Sequence, residues 1–397
     1  MKRTEVLAKS DARPSLAALL LRFLVIGAIG FGGGMANIAL MERELIRKRG
    51  WLSSEEFLHG MGFGQLLGPF ATNTAFFVGA RLFGPLEGLL CVAAFLAPSV
   101  MLVTLLSWLY FTFHSIPSLK SAVQGVGPVV IALILAAAWS LGRKAVRRMP
   151  AVPVAVLALI ASLLRVNSVW VLAGAGAAGL ALGRKRLAGG KPEARPPSRS
   201  SGPPASGAVS LPGAAASLAP AAAVSGSLLS MCWTFLKVGC VFFGGGFVLV
   251  PILHQRLVGQ LHWLNGREFL DGLAISNLTP GPIAVLATFV GYHLHGVGGG
   301  ILALAALYAP AMALMAVLSH GYARFKDLAR FQDFLSGVSP AVAGLIVGAA
   351  VLLAPAALRG LPDWGLMALA LVLLVRFHAH PAIPLAVGAA LGALRWL

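Results

Sequence analysis

The chain contains the same sequence pattern twice. Phe31-Gly32-Gly33-Gly34 recurs as Phe243-Gly244-Gly245-Gly246, and 243 − 31 gives an offset of 212 residues. The same offset relates Trp51-Leu52 to Trp263-Leu264, and the two copies align without a gap from residue 23 to residue 134 of the first copy. A duplication of this length requires two halves of similar structure, so the fold must accommodate an internal two-fold relationship.

The composition places both repeats in lipid. Hydrophobic residues make up 58% of the chain and charged residues 11%, whereas soluble domains carry about 25% charged residues. Runs such as 89–108 and 301–318 approach the roughly 20 apolar residues that a helix needs to cross a bilayer. The alternation typical of membrane β-strands is absent from the sequence. We therefore predict an all-α polytopic integral membrane protein.

Three parts follow one another along the chain. Residues 1–183 are the N-terminal membrane repeat, 184–226 a basic linker rich in Pro, Gly, Ser and Ala, and 227–397 the C-terminal membrane repeat. The composition of the linker is typical of a flexible connection between two folded units.

Gly and Pro interrupt several apolar segments within each repeat. The second segment of each half, at 54–84 and at 266–296, contains Gly, Pro and polar residues, which favours a re-entrant hairpin over a continuous span. The last segment of each half is expected to be two short helices, broken near Asn167 and near His380-Pro381.

Positive charge is distributed differently in the two halves. The basic loop 143–148 corresponds to 355–360, which holds one cation, and the uncharged 112–118 corresponds to 324–330, which holds three. Because short basic loops stay in the cytoplasm, this exchange indicates inverted repeats. The cations flank spans without interleaved aromatic residues, so we predict no nucleic-acid partner, and the charged stretch 41–49 is assigned to membrane lipid.

The two glycine triplets are the first candidate site. Three consecutive glycines cost a helix about 1 kcal/mol each, so the triplets favour broken helices whose freed backbone groups line a cavity. Close packing of helices through small residues is the alternative. Asn37 follows the first triplet, and His254 and Arg256 follow the second.

The segment Asn277-Leu278-Thr279-Pro280-Gly281-Pro282 is the sharpest local signal. Its prolines end one helix and pre-organise the next, and the next helix would direct its positive N-terminal end at an anion. The first-half equivalent is Leu67-Gly68-Pro69 followed by Asn73. An ordinary turn between helices is the competing interpretation.

The remaining polar candidates have two interpretations each. Glu56 and Glu268 follow Ser53 and Asn265 by three residues, the spacing of a capping box, which favours a structural role. His293 corresponds to Arg81 and could attract an oxyanion or extend to the membrane surface. The candidate substrate-binding residues are Gly32, Gly33, Gly34, Asn37, Gly68, Pro69, Asn73, Gly244, Gly245, Gly246, His254, Arg256, Asn277, Thr279, Pro280, Gly281, Pro282 and His293.

These residues resemble those of the chromate ion transporter (CHR) family in both halves. The resemblance rests on the Phe-Gly-Gly-Gly motifs, on Trp-Leu followed by Glu-Phe in each half, and on Thr279-Pro280-Gly281-Pro282. The sequence departs from the family pattern at Leu67, where members usually have a second Pro-Gly-Pro, and in each glycine triplet, where Gly-Gly-Pro is common. The resemblance implies a bacterial inner-membrane protein that exports chromate, coupled to the proton motive force, and confers chromate resistance, with sulfate as a similar anion.

The alternatives are a passive anion channel and an integral membrane enzyme acting on lipid. An enzyme would need a cluster of acidic, histidine or nucleophilic residues, and only His293 and His295 come close. No catalytic residue, metal ligand or cofactor is therefore predicted. The expected partners are a chromate- or sulfate-like oxyanion and membrane lipid, and assembly into a homo-oligomer is left open.

Overall fold

The computed structural model describes residues 14–31, 33–66, 69–113, 117–145, 151–189, 227–242, 246–320, 329–377 and 379–394. The regular structure in these ranges is helical throughout. The first half contains α1 (Leu16–Ile29), α2 (Gly33–Met41), α3 (Ser54–Leu66), α4 (Phe70–Leu82), α5 (Pro85–Phe113), α6 (Pro117–Ala145), α7 (Ala151–Leu163) and α8 (Ser168–Gly189). The second half contains α9 (Leu228–Cys240), α10 (Leu249–Leu253), α11 (Gly266–Leu278), α12 (Leu286–His320), α13 (Ala329–Ala357), α14 (Leu361–Val375) and α15 (Ala382–Leu394).

The duplication fixes the bounds of these helices. Adding 212 to the ends of α3 gives the ends of α11, and the same addition converts α6 into α13. Short π-helices also occupy equivalent positions, at Glu42–Arg47 and His254–Gln260. A departure is α12, which corresponds to α4 and α5 together and is kinked at Gly296, where φ is +64°.

Local capping confirms the structural roles expected for the two glutamates. Asn265 and Glu268 form a complete capping box at the start of α11. At the start of α3, the Glu56 amide donates to Ser53 Oγ (3.2 Å) and the Ser53 amide donates to Glu56 Oε2 (3.3 Å). Each box satisfies amides that have no acceptor within the helix.

Within the described residues, four helical segments are long and apolar enough to cross a membrane, at Pro85–Phe113, Gln124–Arg143, Ile283–Val317 and Gly337–Ala357. Helices of 13 residues such as α3, α4 and α7 extend only about 20 Å, less than the ~30 Å hydrocarbon core. Helices α3 and α4 are consecutive, α7 is followed by the 22-residue α8, and α14 and α15, of 15 and 13 residues, are also consecutive. The predicted interruptions are therefore present in the fold, whereas the relative membrane orientation of the halves stays a prediction.

The two halves exchange packing partners. Helix α13 of the second half packs against α7 and α8 of the first, while α6 of the first packs against α14 and α15 of the second. Helices α6 and α13 also contact each other. Each half thus covers a long helix of the other, and we call this arrangement the crossed packing.

Glycine permits the close approaches in both halves. A side chain at Gly27 would collide with the backbone of Phe95, and one at Gly239 with the backbone of Leu307. These pairs are equivalent by the 212-residue offset. Contacts of this kind are the normal means by which membrane helices pack, because burial from lipid supplies little driving force between them.

Candidate functional site

Helices α2 and α4 of the first half begin next to each other. Gly34 lies in the first turn of α2, and a Cβ atom there would lie 2.5 Å from the ring of Phe70, the first residue of α4. The chain leaves helical geometry at Gly30, and a side chain at Gly30 would collide with that of the fully buried Asn37. The predicted break after α1 thus brings two helix starts together.

The second half repeats this arrangement. The helical turn Gly246–Val248 precedes α10, and a Cβ atom on Gly246 would lie 2.5 Å from Cγ2 of Ile283. Ile283 begins the helical run that continues into α12. Pro282 precedes this start in an extended conformation, as expected for a proline that ends one helix and sets the direction of the next.

A direct hydrogen bond connects the breaks of the two halves. The amide of Gly281 donates to the carbonyl of Gly30 (3.2 Å), and Ser99 Oγ of α5 donates to the carbonyl of Pro280. Gly281 has φ = +107°, a conformation that side chains rarely adopt. The four helix starts, at α2, α4, Gly246 and Ile283, therefore converge on one region. We call this region the break cluster.

Uncharged polar groups accompany the break cluster. The Thr72 hydroxyl lies 3.5 Å from the Tyr308 hydroxyl, a weak contact between the two halves. Thr288 Oγ1 and Asn73 Oδ1 are buried without a hydrogen-bond partner among the described residues. Because buried polar groups are normally paired, these two unpaired atoms mark buried polar positions within two turns of the starts of α4 and α12.

The electrostatics of the break cluster favour an anion. Each helix carries about half a positive charge at its N-terminus, where the first amides lack acceptors. The residues that define the cluster are uncharged, so the positive potential comes from backbone dipoles. A dianion held this way would meet donors that do not titrate.

A cavity of about 440 Å³ lies beside the second break. It is lined by Arg165 and Ser168 from the α7–α8 turn, by His254 and His262, and by Ala349 of α13, among others. Pro251, which also lines the cavity, follows Gly246 by five helical residues, so the cavity wall begins about 8 Å from the break cluster along the helix axis. The crossed packing forms the cavity, because both halves contribute to its walls.

Gln255 of the second π-helix holds the α7–α8 turn in place. Its side-chain oxygen accepts from the Ser168 amide (2.9 Å) and hydroxyl (3.0 Å), and its nitrogen donates to the carbonyls of Arg165 (3.1 Å) and Val166 (3.2 Å). Among the described residues, Arg165 and His262 are the two non-glycine residues with positive φ, and both line the cavity. Arg165 follows the end of α7, where the Val166 amide donates to the Ala161 carbonyl and the Arg165 amide donates to the Ser162 carbonyl, so its left-handed backbone ends that helix.

His254 and Arg256 differ in their surroundings. His254 faces the cavity, and burial together with the charge of Arg165 lowers the pKa of His254 to about 4. His254 is therefore neutral near pH 7 and provides a donor or an acceptor rather than a cation. Arg256 donates to Gln260 (2.6 Å) at an exposed position.

The other predicted residues divide by location. Pro280, Gly281 and Pro282 belong to the break cluster, as do Gly34 and Gly246, and Pro69 and Gly33 stand at the starts of α4 and α2. Asn277 and Thr279 donate to carbonyls of Leu273 and Ser276 and so complete the end of α11. His293 is exposed and stacks on Phe111 (4.5 Å), ten residues beyond Ile283. Gly32, Gly68, Gly244 and Gly245 lie outside the described residues.

Sequence reasoning missed Ser99, Tyr308, Arg165 and Gln255. Ser99 follows Pro98, which the duplication matches to Pro310, so the repeated proline was the available signal. The importance of the other three arises from contacts between the halves, and no local pattern indicates them.

A duplicated, multi-pass, all-α protein whose broken helices direct their N-termini at one polar region has the architecture of a secondary transporter. The chain belongs to the chromate transporter family, whose sequence model matches residues 17–180 and 229–393.

Relatives of this chain cover nearly its whole length. It is 30% identical to the chromate transport protein of Cupriavidus metallidurans over 95% of this chain and 92% of that protein. It is 31% identical to the chromate transport protein of Pseudomonas aeruginosa over 91% of this chain and 87% of that protein. An uncharacterised transporter of Methanocaldococcus jannaschii is 23% identical over 95% of this chain and 93% of that protein. No solved structure matches the chain at a significant level.

Proposed function

We propose that this protein is a secondary transporter that exports chromate, or a related tetrahedral oxyanion such as sulfate, across the bacterial inner membrane. The convergence of helix N-termini at the break cluster is the observation that carries this proposal. Two relatives named chromate transport proteins support the choice of anion, and the bacterial source of these relatives together with the apolar helices of this chain supports the choice of membrane.

The break cluster would bind the oxyanion through backbone amides and hydroxyls. Hydrogen bonds to an anion are stronger than those between neutral groups, and the low dielectric of a buried site strengthens them further. Uncharged donors also leave the bound dianion without a fixed partner charge, which favours its release. The cavity lined by Arg165 would attract the anion before it reaches the cluster.

The proton motive force would drive export, which confers chromate resistance. We propose a carrier without enzymatic activity and without a cofactor. The two-domain organisation, with repeats at 1–183 and 227–397 joined by 184–226, would place one broken-helix pair from each repeat at the shared site. Lipid surrounds the protein, consistent with exposed apolar residues such as Met101, Leu157 and Leu229.

Uptake of radiolabelled chromate into inverted membrane vesicles tests this function. We expect protein-dependent accumulation that follows an imposed pH gradient and decreases when excess unlabelled sulfate is present. Flux that is independent of the gradient would instead identify a passive anion channel. Absence of protein-dependent flux for both anions would exclude the proposal.

Two serines of α5 give a matched pair of variants. Ser99 Oγ reaches across to Pro280 at the break cluster, whereas Ser107 Oγ bonds to Val103 (2.6 Å) within its own helix, and both serines are fully buried. Loss of one hydrogen bond costs about 1 kcal/mol, or roughly fivefold in rate. We expect Ser99→Ala to lower chromate transport by about this factor and Ser107→Ala to leave it within about twofold.

A further inference from the structure

Asp271 of α11 differs from the other buried carboxylates of the described chain. Its side chain is 5% exposed, and its Oδ2 accepts from the Tyr110 hydroxyl of α5 at 2.8 Å. The nearest cation, Arg267, lies 4.0 Å away at Nε, the limit of an ion pair. The closest hydrogen-bond partner of this buried acid is therefore a neutral phenol from the other half of the protein.

Glu44 and Asp363 show the contrast. Glu44 contacts Lys48 (2.7 Å), Arg49 (3.2 Å) and Arg43 (3.4 Å), and the hydrogen bond from Lys48 together with these charges holds the pKa of Glu44 below its usual value despite burial. Asp363 accepts from the backbone amide of Arg359 (3.0 Å) in the first turn of α14. Both carboxylates are stabilised in their charged form, Glu44 by cations and Asp363 by a helix start.

Asp271 also has a mechanical connection to the break cluster. Helix α5 contacts the α11 segment twice, through Tyr110 to Asp271 and through Ser99 to Pro280. Residues 99 and 110 lie about 16 Å apart along α5, and Pro280 follows Asp271 by nine residues, the last two of them beyond the end of α11 at Leu278. A change in the Tyr110 contact therefore alters one of the two hydrogen bonds that connect α5 to α11 and to the Pro280 turn after it.

Protonation of Asp271 would weaken its hydrogen bond with Tyr110. A hydroxyl bonds more strongly to a carboxylate than to a neutral acid, and burial disfavours the charged form of a carboxyl group. Gly266, at the start of α11, lines the cavity, so the cavity wall comes to within about 8 Å of Asp271 along the helix. Groups facing or near Asp271 are Arg267 and Glu268 of α11, Tyr110 of α5, and Arg359 before α14; His254 contacts the neighbouring Phe269, and His293 stacks on Phe111.

We propose that Asp271 carries the coupled proton of the transport cycle, with Tyr110 as the residue that transmits its protonation to α5. This inference rests on the proposed proton-driven function. The carboxylate takes up a proton from the solution on one side and releases it on the other, and no bond other than O–H forms or breaks. In the protonated state the Tyr110 tie weakens, and α11 and the break cluster move relative to α5.

The variants Asp271→Asn and Tyr110→Phe test the two roles, with Asp363→Asn as the matched buried-carboxylate control. Asp271→Asn should abolish accumulation of labelled chromate driven by a pH gradient. It should retain exchange of labelled for unlabelled chromate without a gradient, within about threefold of the unsubstituted protein, because exchange needs no net proton movement. Asp363→Asn should retain both activities.

Tyr110→Phe keeps the aromatic packing on Phe289 and removes one hydrogen bond to the charged form of Asp271. The midpoint of the pH profile of transport should therefore move to higher pH by about one unit. Loss of exchange together with accumulation in Asp271→Asn, or driven accumulation in that variant equal to the unsubstituted protein, would overturn the proposal. An unshifted profile in Tyr110→Phe would overturn the role of Tyr110.

A second measurement does not depend on the transported anion. Infrared difference spectra of the purified protein, recorded between acid and alkaline pH, should contain the carbonyl band of a buried carboxylic acid that Asp271→Asn removes. An unchanged band in this variant would overturn the assignment. Loss of the band in a protein that moves no chromate would support the proton site and overturn the choice of substrate.

Discussion

Replacement of Gly281 by alanine tests whether the break cluster is as tightly built as its geometry indicates. The backbone at Gly281 has φ = +107°, where a non-glycine residue costs about 1–3 kcal/mol. The new methyl group would also collide with Ser99 Oγ, and displacement of this segment would weaken the bond to Gly30, worth about 1 kcal/mol. We expect Gly281→Ala to lower the free energy of unfolding by about 2–4 kcal/mol.

Gly296 provides the control for backbone strain. It has φ = +64° and nothing lies within 4 Å of a Cβ atom placed on it. Gly296→Ala therefore carries a left-handed backbone penalty of about 1–2 kcal/mol without a collision. Thermal melting of the purified protein in detergent would compare the two variants, and vesicle transport would show whether Gly281→Ala loses more than about tenfold, the equivalent of 1.4 kcal/mol.

Ser99→Ala isolates the collision. Without its hydroxyl, the nearest atom of residue 99 is its Cβ at 3.4 Å from the new methyl group, an ordinary contact. Ser99→Ala should therefore recover part of the stability lost in Gly281→Ala, whereas its effect should simply add to that of Gly296→Ala. Equal melting temperatures for the two glycine variants, or no recovery in the double variant, would refute the tight packing of the Pro280-Gly281 turn.

Two further predictions concern the edges of the site. Gln255→Ala removes the hydrogen bonds that hold the α7–α8 turn and should lower the free energy of unfolding by about 1–3 kcal/mol. The control Gln260→Ala changes an exposed residue and should have little effect. Equal melting temperatures for the two variants would contradict the role of Gln255 in holding the turn. Although burial acts to raise it, hydrogen bonds from Ser53 and the charge of Arg81 hold the pKa of Glu56 below its usual value. The contribution of the charged Glu56 to the free energy of unfolding is thus present above the unfolded-state pKa and is lost as pH falls through the folded-state pKa. The melting temperature of Glu56→Gln should therefore lie below that of the unsubstituted protein near neutral pH and approach it in acid.

Local chemistry accounts for what the sequence predicted. Glycine triplets and Pro280-Gly281-Pro282 cannot continue a helix, so the positions of the breaks follow from backbone preferences alone. The capping boxes at Ser53 and Asn265 are likewise defined by a three-residue spacing. The duplication then transfers each assignment from one half to the other.

Long-range packing accounts for what the sequence did not predict. The hydrogen bond from Gly281 to Gly30 joins residues 251 positions apart, and Gln255 of the second half donates to the carbonyls of Arg165 and Val166 in the first half. The neutrality of His254 is a further example, because it results from burial beside Arg165. None of these follows from residue type or spacing.

The crossed packing has a consequence for how the protein is made. Synthesis from the N-terminus delivers α7 and α8 to the membrane before α13 exists. Their small-residue surfaces are therefore exposed to lipid until α13, encoded more than 150 residues later, is made. The face of α6 around Gly125 contacts Gly388 and Gly392 of α15. This face therefore has no packing partner until translation is almost complete. The first half alone is therefore an assembly intermediate with unmatched surfaces, and the length of the linker sets how readily its partner helices can reach them.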